Sequence, residues 1–143
     1  MGIKGAKHAV FDLKYHLVLI PKYRKHLLVG EVAQYTKEVF QRIADEYGFW
    51  VDTMEIMEDH VHVFLEAYPR YSPAHVVQIM KSILAREVFK RFPQVREQLW
   101  AGELWIDGYF VRSVGDQVTA EVIRHYIEYQ AQEETFPQLP LFE

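Results

Sequence analysis

Two histidines spaced two residues apart, His60 and His62, open the run Glu58-Asp59-His60-Val61-His62-Val63-Phe64-Leu65. Side chains alternate across a strand, so both imidazoles point to one face while Val61 and Val63 point to the other. Two neutral imidazoles one strand repeat apart can share a divalent metal, provided a further ligand comes from elsewhere. The plainer reading is a pair of ordinary strand histidines. A complement lies near the other end of the chain, in His125-Tyr126-Ile127-Glu128-Tyr129-Gln130. On a helix, residues four apart share a face, so Tyr126 and Gln130 project side by side, a phenol nucleophile beside an amide oxygen ligand. Tyr129 is the rival nucleophile, but it is turned about 100° from Gln130. Taken singly, Tyr126 can equally be a core aromatic and Gln130 a surface residue.

Together His60, His62 and Gln130 make an incomplete, neutral coordination shell with open positions. Such a shell suits Mg²⁺ or Mn²⁺ that must also bind a phosphate oxygen. A tyrosine hydroxyl, with an ordinary pKa near ~10, is a poor nucleophile at neutral pH. Attack on a metal-polarised phosphodiester lets it form a phosphotyrosine and release a 3′ hydroxyl. The covalent link stores the energy of the broken bond, so the same site can run backwards onto another 3′ end without an external energy source.

The elements that must hold these residues fit one ordinary domain of 143 residues, half of them apolar and 15% aromatic. We expect the domain to span residues 1–135, with 136–143 as a proline-containing tail. No apolar run is long enough to cross a membrane, and Met1-Gly2-Ile3-Lys4-Gly5-Ala6-Lys7 lacks the apolar core of a signal peptide. A cytoplasmic location is the expectation. There is no cysteine, which leaves His, Asp, Glu and Gln as metal ligands.

The formal net charge is −4, an awkward balance for a nucleic-acid partner. Its distribution softens the objection. Glu133, Glu134 and Glu143 lie in the last thirteen residues, which carry no Lys or Arg, and two stretches are clearly basic, 1–25 and 70–96. The loop Pro21-Lys22-Tyr23-Arg24-Lys25-His26 interleaves an aromatic with cations and suits a phosphate backbone or a stacked base. Its alternative is a polar connection whose Tyr23 folds onto the core. Lys22, Tyr23 and Arg24 are therefore candidate nucleic-acid contacts, joined by Lys81 and Arg86 from the second basic stretch; solvated exposed cations are the bland reading of each.

Alternation over Val10–Ile20 predicts a first strand, ended by Pro21. Val32, Tyr35, Val39 and Ile43 recur at helical spacing over Gly30–Tyr47, and Gly48 supplies a stop. Phe49–Met57 and His60–Ala67 read as a hairpin turned at Glu58-Asp59. Ser72-Pro73 caps a helix running to about Phe92. A fourth strand is expected over Tyr109–Ser113 and a last helix over Thr119–Glu133. This order predicts an α+β, ferredoxin-like split βαβ fold: an antiparallel sheet with helices on one face, plus a C-terminal tyrosine-bearing helix. The fold hosts many functions and decides none.

With these residues in view, the chain resembles the single-tyrosine HUH transposases of small bacterial and archaeal insertion sequences, including the relatives associated with REP repeats. The likeness covers roughly residues 11–130. It is carried by Tyr15-His16-Leu17-Val18, Pro21-Lys22-Tyr23-Arg24, Leu28-Val29-Gly30, Met57 with Asp59-His60-Val61-His62, Leu104-Trp105, Tyr109-Phe110-Val111, Ser113-Val114-Gly115, and Tyr126-Ile127-Glu128 with Gln130. The resemblance implies that His60, His62 and Gln130 ligate the metal and that Tyr126 is the nucleophile. It also implies a homodimer whose active sites are shared between subunits, and recognition of hairpins in single-stranded DNA at the ends of an insertion sequence. The acidic balance and the Phe-Pro-rich tail depart from the usual pattern. Two other readings stand beside this one, a domesticated nuclease of repeat hairpins and a non-catalytic single-stranded nucleic-acid-binding module. For the dimer contact, the apolar run Leu17-Val18-Leu19-Ile20 suggests a first strand at an open sheet edge.

Overall fold

The chain enters with a short hairpin, β1 (Lys4–Ala6) against β2 (Ala9–Phe11), and only then begins the central strand β3 (Lys14–Leu19). One continuous strand over Val10–Ile20 was expected; it is broken at Asp12-Leu13. There the Leu13 N–H donates to Oε2 of the buried Glu66 at 2.9 Å, and Lys4 stands 3.7 Å from the other carboxylate oxygen. The computed structural model describes residues 3–22, 26–99, 102–113 and 128.

Helix α1 (Gly30–Tyr47) buries Val39, Phe40, Ile43 and Ala44. It stops as its sequence requires: Gly48 takes the left-handed conformation (φ 76°, ψ 33°) and its N–H donates to the Ala44 carbonyl at 2.9 Å. Strands β4 (Trp50–Met57) and β5 (His60–Glu66) form the expected hairpin. Helix α2 (Pro73–Arg91) starts at Ser72, whose Oγ accepts from the His75 N–H at 3.1 Å, with Pro73 in the first turn. A short α3 (Pro93–Glu97), not anticipated, precedes the last described strand, β6 (Phe110–Ser113).

The sheet order is β4-β5-β3-β6, with every neighbour antiparallel. Because β5 inserts between β3 and β4, the helical crossover is split in the ferredoxin-like manner. One face of the sheet packs Tyr15, Leu17, Leu19, Val61, Val63 and Leu65 against the buried stripes of α1 and α2. Leu17, Leu19, Val63 and Leu65 expose nothing to solvent, and burial of each is worth roughly 1.5–3 kcal/mol. A bulge at Asp52 shifts the β4 register, so that Val51, Met54 and Ile56 all face this core although strict alternation would turn Met54 away from Val51.

The other face carries a smaller apolar cluster of Val18, Ile20 and Ile106, with Phe110 against it. The open-edge expectation for the Leu17–Ile20 run is corrected here. Strand β3 is hydrogen-bonded on both sides, to β5 and β6, and the run is continuously apolar because both of its faces are covered. Among the described residues the sheet edges are β4 and β6. Of the expected C-terminal helix only Glu128 is described, and it is helical; the rest of Thr119–Glu133 and the tail lie outside the described residues. Among the described residues, no helix is long and apolar enough to cross a membrane.

Candidate active site

The alternation that buries Val61, Val63 and Leu65 leaves His60, His62 and Phe64 half-buried on the face away from α1 and α2. Register adds their neighbours. His62 stands opposite Val18 of β3 and Glu55 of β4, His60 opposite Met57, and Phe64 opposite His16. On the far side of β3, Arg112 pairs with His16 and Phe110 with Val18, so Arg112 lies on the histidine face as well.

Each of the two histidines has one nitrogen engaged. His60 Nδ1 lies 3.0 Å from Oδ1 of Asp59, in the β4–β5 turn, and donates to that carboxylate, which leaves Nε2 with a lone pair. His62 Nε2 lies 3.1 Å from Nδ1 of His16. The turn is itself tied down, because the Leu28 N–H donates to the Glu58 carbonyl at 3.3 Å and His26 Nδ1 meets the Glu58 carboxylate at 3.1 Å. Burial, with smaller contributions from His16 and His60 and against the pull of Glu55, holds His62 below the usual histidine range, so its imidazole is neutral at physiological pH. Two imidazoles on one half-open face, that of His62 held neutral, have donor chemistry that fits a divalent cation. Among the described residues, no group of three or more His, Cys, Asp or Glu side chains gathers as a metal site. Gln130 and Tyr126 lie outside the described residues, as do Tyr23 and Arg24.

Of the candidate nucleic-acid contacts that are described, Lys22 follows directly on β3 at the His60 end of the sheet. Its N–H donates to the Leu104 carbonyl at 2.7 Å, and its ammonium lies 3.5 Å from the Glu103 carboxylate. Lys81 is committed to the chain itself. Its Nζ donates to the carbonyls of Ile106 (2.6 Å), Asp107 (3.3 Å) and Gly108 (2.9 Å), and burial pushes its pKa down to about 8. It borders an open groove of about 440 Å³ lined by α2 and residues 102–107. Arg86 points its exposed guanidinium into solvent, 3.6 Å from Glu87. Lys22 and Lys81 thus converge on the segment before β6, and Arg86 stands apart on α2.

Sequence reasoning assigned no role to His16, Asp59 or Arg112. His16 needed the β3–β5 register to be placed beside His62. Arg112 needed the β3–β6 register, which no local pattern encodes.

Comparison with known proteins bears on the family and the fold. The family model described as "Transposase IS200 like" matches residues 9–130. The ISDra2 transposase TnpA of Deinococcus radiodurans is 40% identical over 134 residues, covering 94% of this chain and 95% of the relative. An IS200 transposase of Salmonella typhimurium is 28% identical over 131 residues, covering 92% and 85%. A crystal structure of a candidate transposase from Deinococcus radiodurans superposes with a TM-score of 0.80 at 36% identity, covering 89% of this chain and 97% of that one. A REP-associated tyrosine transposase solved with a REP hairpin shares the fold, with a TM-score of 0.54 at 11% identity over 88% and 68% of the two chains. A family match over most of the chain and a relative similar along nearly its whole length establish that the chain belongs to the IS200-like transposases, enzymes that cut and rejoin DNA in transposition.

Proposed function

We propose that this transposase cleaves and rejoins single-stranded DNA through a 5′-phosphotyrosine on Tyr126, at hairpin-bearing ends of an insertion sequence. The observation that carries the reading is the pair of imidazoles on one half-open sheet face, each with one nitrogen held by a neighbour, one of the pair held neutral by its surroundings. A divalent cation, Mg²⁺ or Mn²⁺, held by His60, His62 and Gln130 would polarise the scissile phosphodiester. The Tyr126 oxygen attacks phosphorus, the bond to the 3′ oxygen breaks, and the tyrosine proton passes, directly or through water, to that 3′ oxygen, which leaves as a hydroxyl. Attack by a different 3′ hydroxyl reverses the step and frees Tyr126. Arg112, exposed on the histidine face, offers a bidentate donor to a phosphate of the bound strand.

We also propose a homodimer with composite sites. Among the described residues strand β6 is a sheet edge whose Val111 is 38% exposed, and pairing across a two-fold axis would cover it. The test is incubation with 3′-end-labelled hairpin DNA and Mn²⁺, followed by a denaturing gel. Label carried by the protein band, lost in Tyr126→Phe while hairpin binding persists, is the expected result. An adduct that survives Tyr126→Phe and disappears in Tyr129→Phe refutes the nucleophile; binding with no adduct from the unmodified protein under any metal favours a non-catalytic module.

A further inference from the structure

The proposed centre gives no role to a histidine that lies beside it. His16 is 6% exposed and lies in β3 beside the candidate ligands. Its ring stacks on Phe64, centroids 4.3 Å apart and planes 13° from parallel, and its Nδ1 sits 3.1 Å from Nε2 of His62. The β3–β5 register produces this: His16 faces Phe64 and Val18 faces His62, so the two imidazoles are diagonal neighbours on one face.

A neutral imidazole carries one N–H and one lone pair. The contact between the two rings therefore has two forms. If His16 donates, the proton of His62 resides on Nδ1 and its one lone pair is spent on His16, leaving nothing for a cation. If His62 donates from Nε2, its Nδ1 lone pair is free, and only this form can act as a ligand. His60 is arranged in the opposite sense, with Nδ1–H accepted by Asp59 and Nε2 left free. Acceptors of this kind commonly fix the tautomer and ring angle of metal-binding histidines.

We propose that His16 is a positioning residue of the metal centre, accepting the Nε2–H of His62 so that Nδ1 of His62 is the nitrogen presented to the cation. The inference rests on the reading of His60 and His62 as ligands. Burial and the stack on Phe64 hold the His16 ring, so the acceptor stands at a fixed angle, which a water molecule would not guarantee.

The test uses Mn²⁺ alone, titrated calorimetrically into the full-length protein, with histidine ¹⁵N shifts recorded after addition of Mg²⁺. His16→Phe keeps a ring on Phe64 but has no acceptor, and should weaken Mn²⁺ binding about 10–100-fold. His16→Asn places an oxygen where Nδ1 stood and should retain most of the affinity. In the unmodified protein His62 should be protonated on Nε2. Wild-type affinity in a folded His16→Phe, while His60→Ala loses binding, overturns the inference and spares the ligand reading. Wild-type affinity in both His60→Ala and His62→Ala overturns the ligand reading and this inference with it. Should His16→Phe fail to fold, the tautomer and the Asn variant decide: a His62 protonated on Nδ1, or His16→Asn binding weakened 10-fold or more, overturns it.

Discussion

Raising the pH from 7 to about 10.5 should stabilise the fold through Lys81, and Lys81→Met should remove that effect. The ammonium braces α2 against the segment entering β6 by donating to three consecutive carbonyls. Burial, aided by Lys22 and opposed by Asp107, lowers its pKa from 10.5 to about 8. Between those two values the unfolded chain keeps a proton that the folded chain has released, so stability rises with pH across that window. At full strength this displacement is worth roughly 3.4 kcal/mol. The side chain is only partly buried and is screened by solvent, so about 1–2 kcal/mol is expected. At pH 7, Lys81→Met loses three hydrogen bonds of about 1 kcal/mol each but also relieves the cost of burying a charge, for a net loss of about 1–2 kcal/mol. The gap between the two proteins should then widen by about 1–2 kcal/mol near pH 10.5. Urea unfolding followed by tryptophan fluorescence at pH 7, 9 and 10.5 measures it, and the other lysines and tyrosines cancel in the difference. A gap independent of pH would refute the reasoning.

Asp59→Ala should weaken Mn²⁺ binding about 10–100-fold by removing the acceptor on His60 Nδ1, with Asp59→Asn intermediate; calorimetry that finds Asp59→Ala unchanged removes Asp59 from the centre. Gly48→Ala should cost about 1–2 kcal/mol in urea unfolding for the left-handed backbone, and more if Tyr68 cannot yield, since an added Cβ would meet its ring at 3.2 Å. Phe40→Ala, at a fully buried position of α1, should cost about 3–5 kcal/mol; a loss under 1 kcal/mol would show that the core there collapses around the cavity. Mixing a His60→Ala, His62→Ala subunit with a Tyr126→Phe subunit under exchange conditions should restore cleavage if sites are shared, because the heterodimer then contains one intact site. An inactive mixture, with exchange verified, would confine each site to one subunit.

The chemistry-bearing face of β5 was legible in the sequence because strand parity is local: His60 and His62 had to point together once Val61 and Val63 were buried. The helix ends were legible for a similar reason. Ser72-Pro73 and Gly48 act on backbone groups within four residues, and both caps form as their chemistry requires. Everything that depends on which strand lies beside which was decided by the tertiary structure. The apolar run Leu17–Ile20 reads the same for an edge strand packed on a dimer partner as for a central strand covered on both faces, and only pairing to β5 and β6 distinguishes them. The break at Asp12-Leu13 depends on a carboxylate 53 residues away, at Glu66. The approach of His16 to His62 across 46 residues depends on a register that neither residue's neighbours specify, and Lys81 found its three carbonyls 25 to 27 residues on. Local sequence determines backbone caps and the side of a strand on which a residue falls; long-range pairing determines its neighbours, and it is the neighbours that set tautomer, charge state and chemistry.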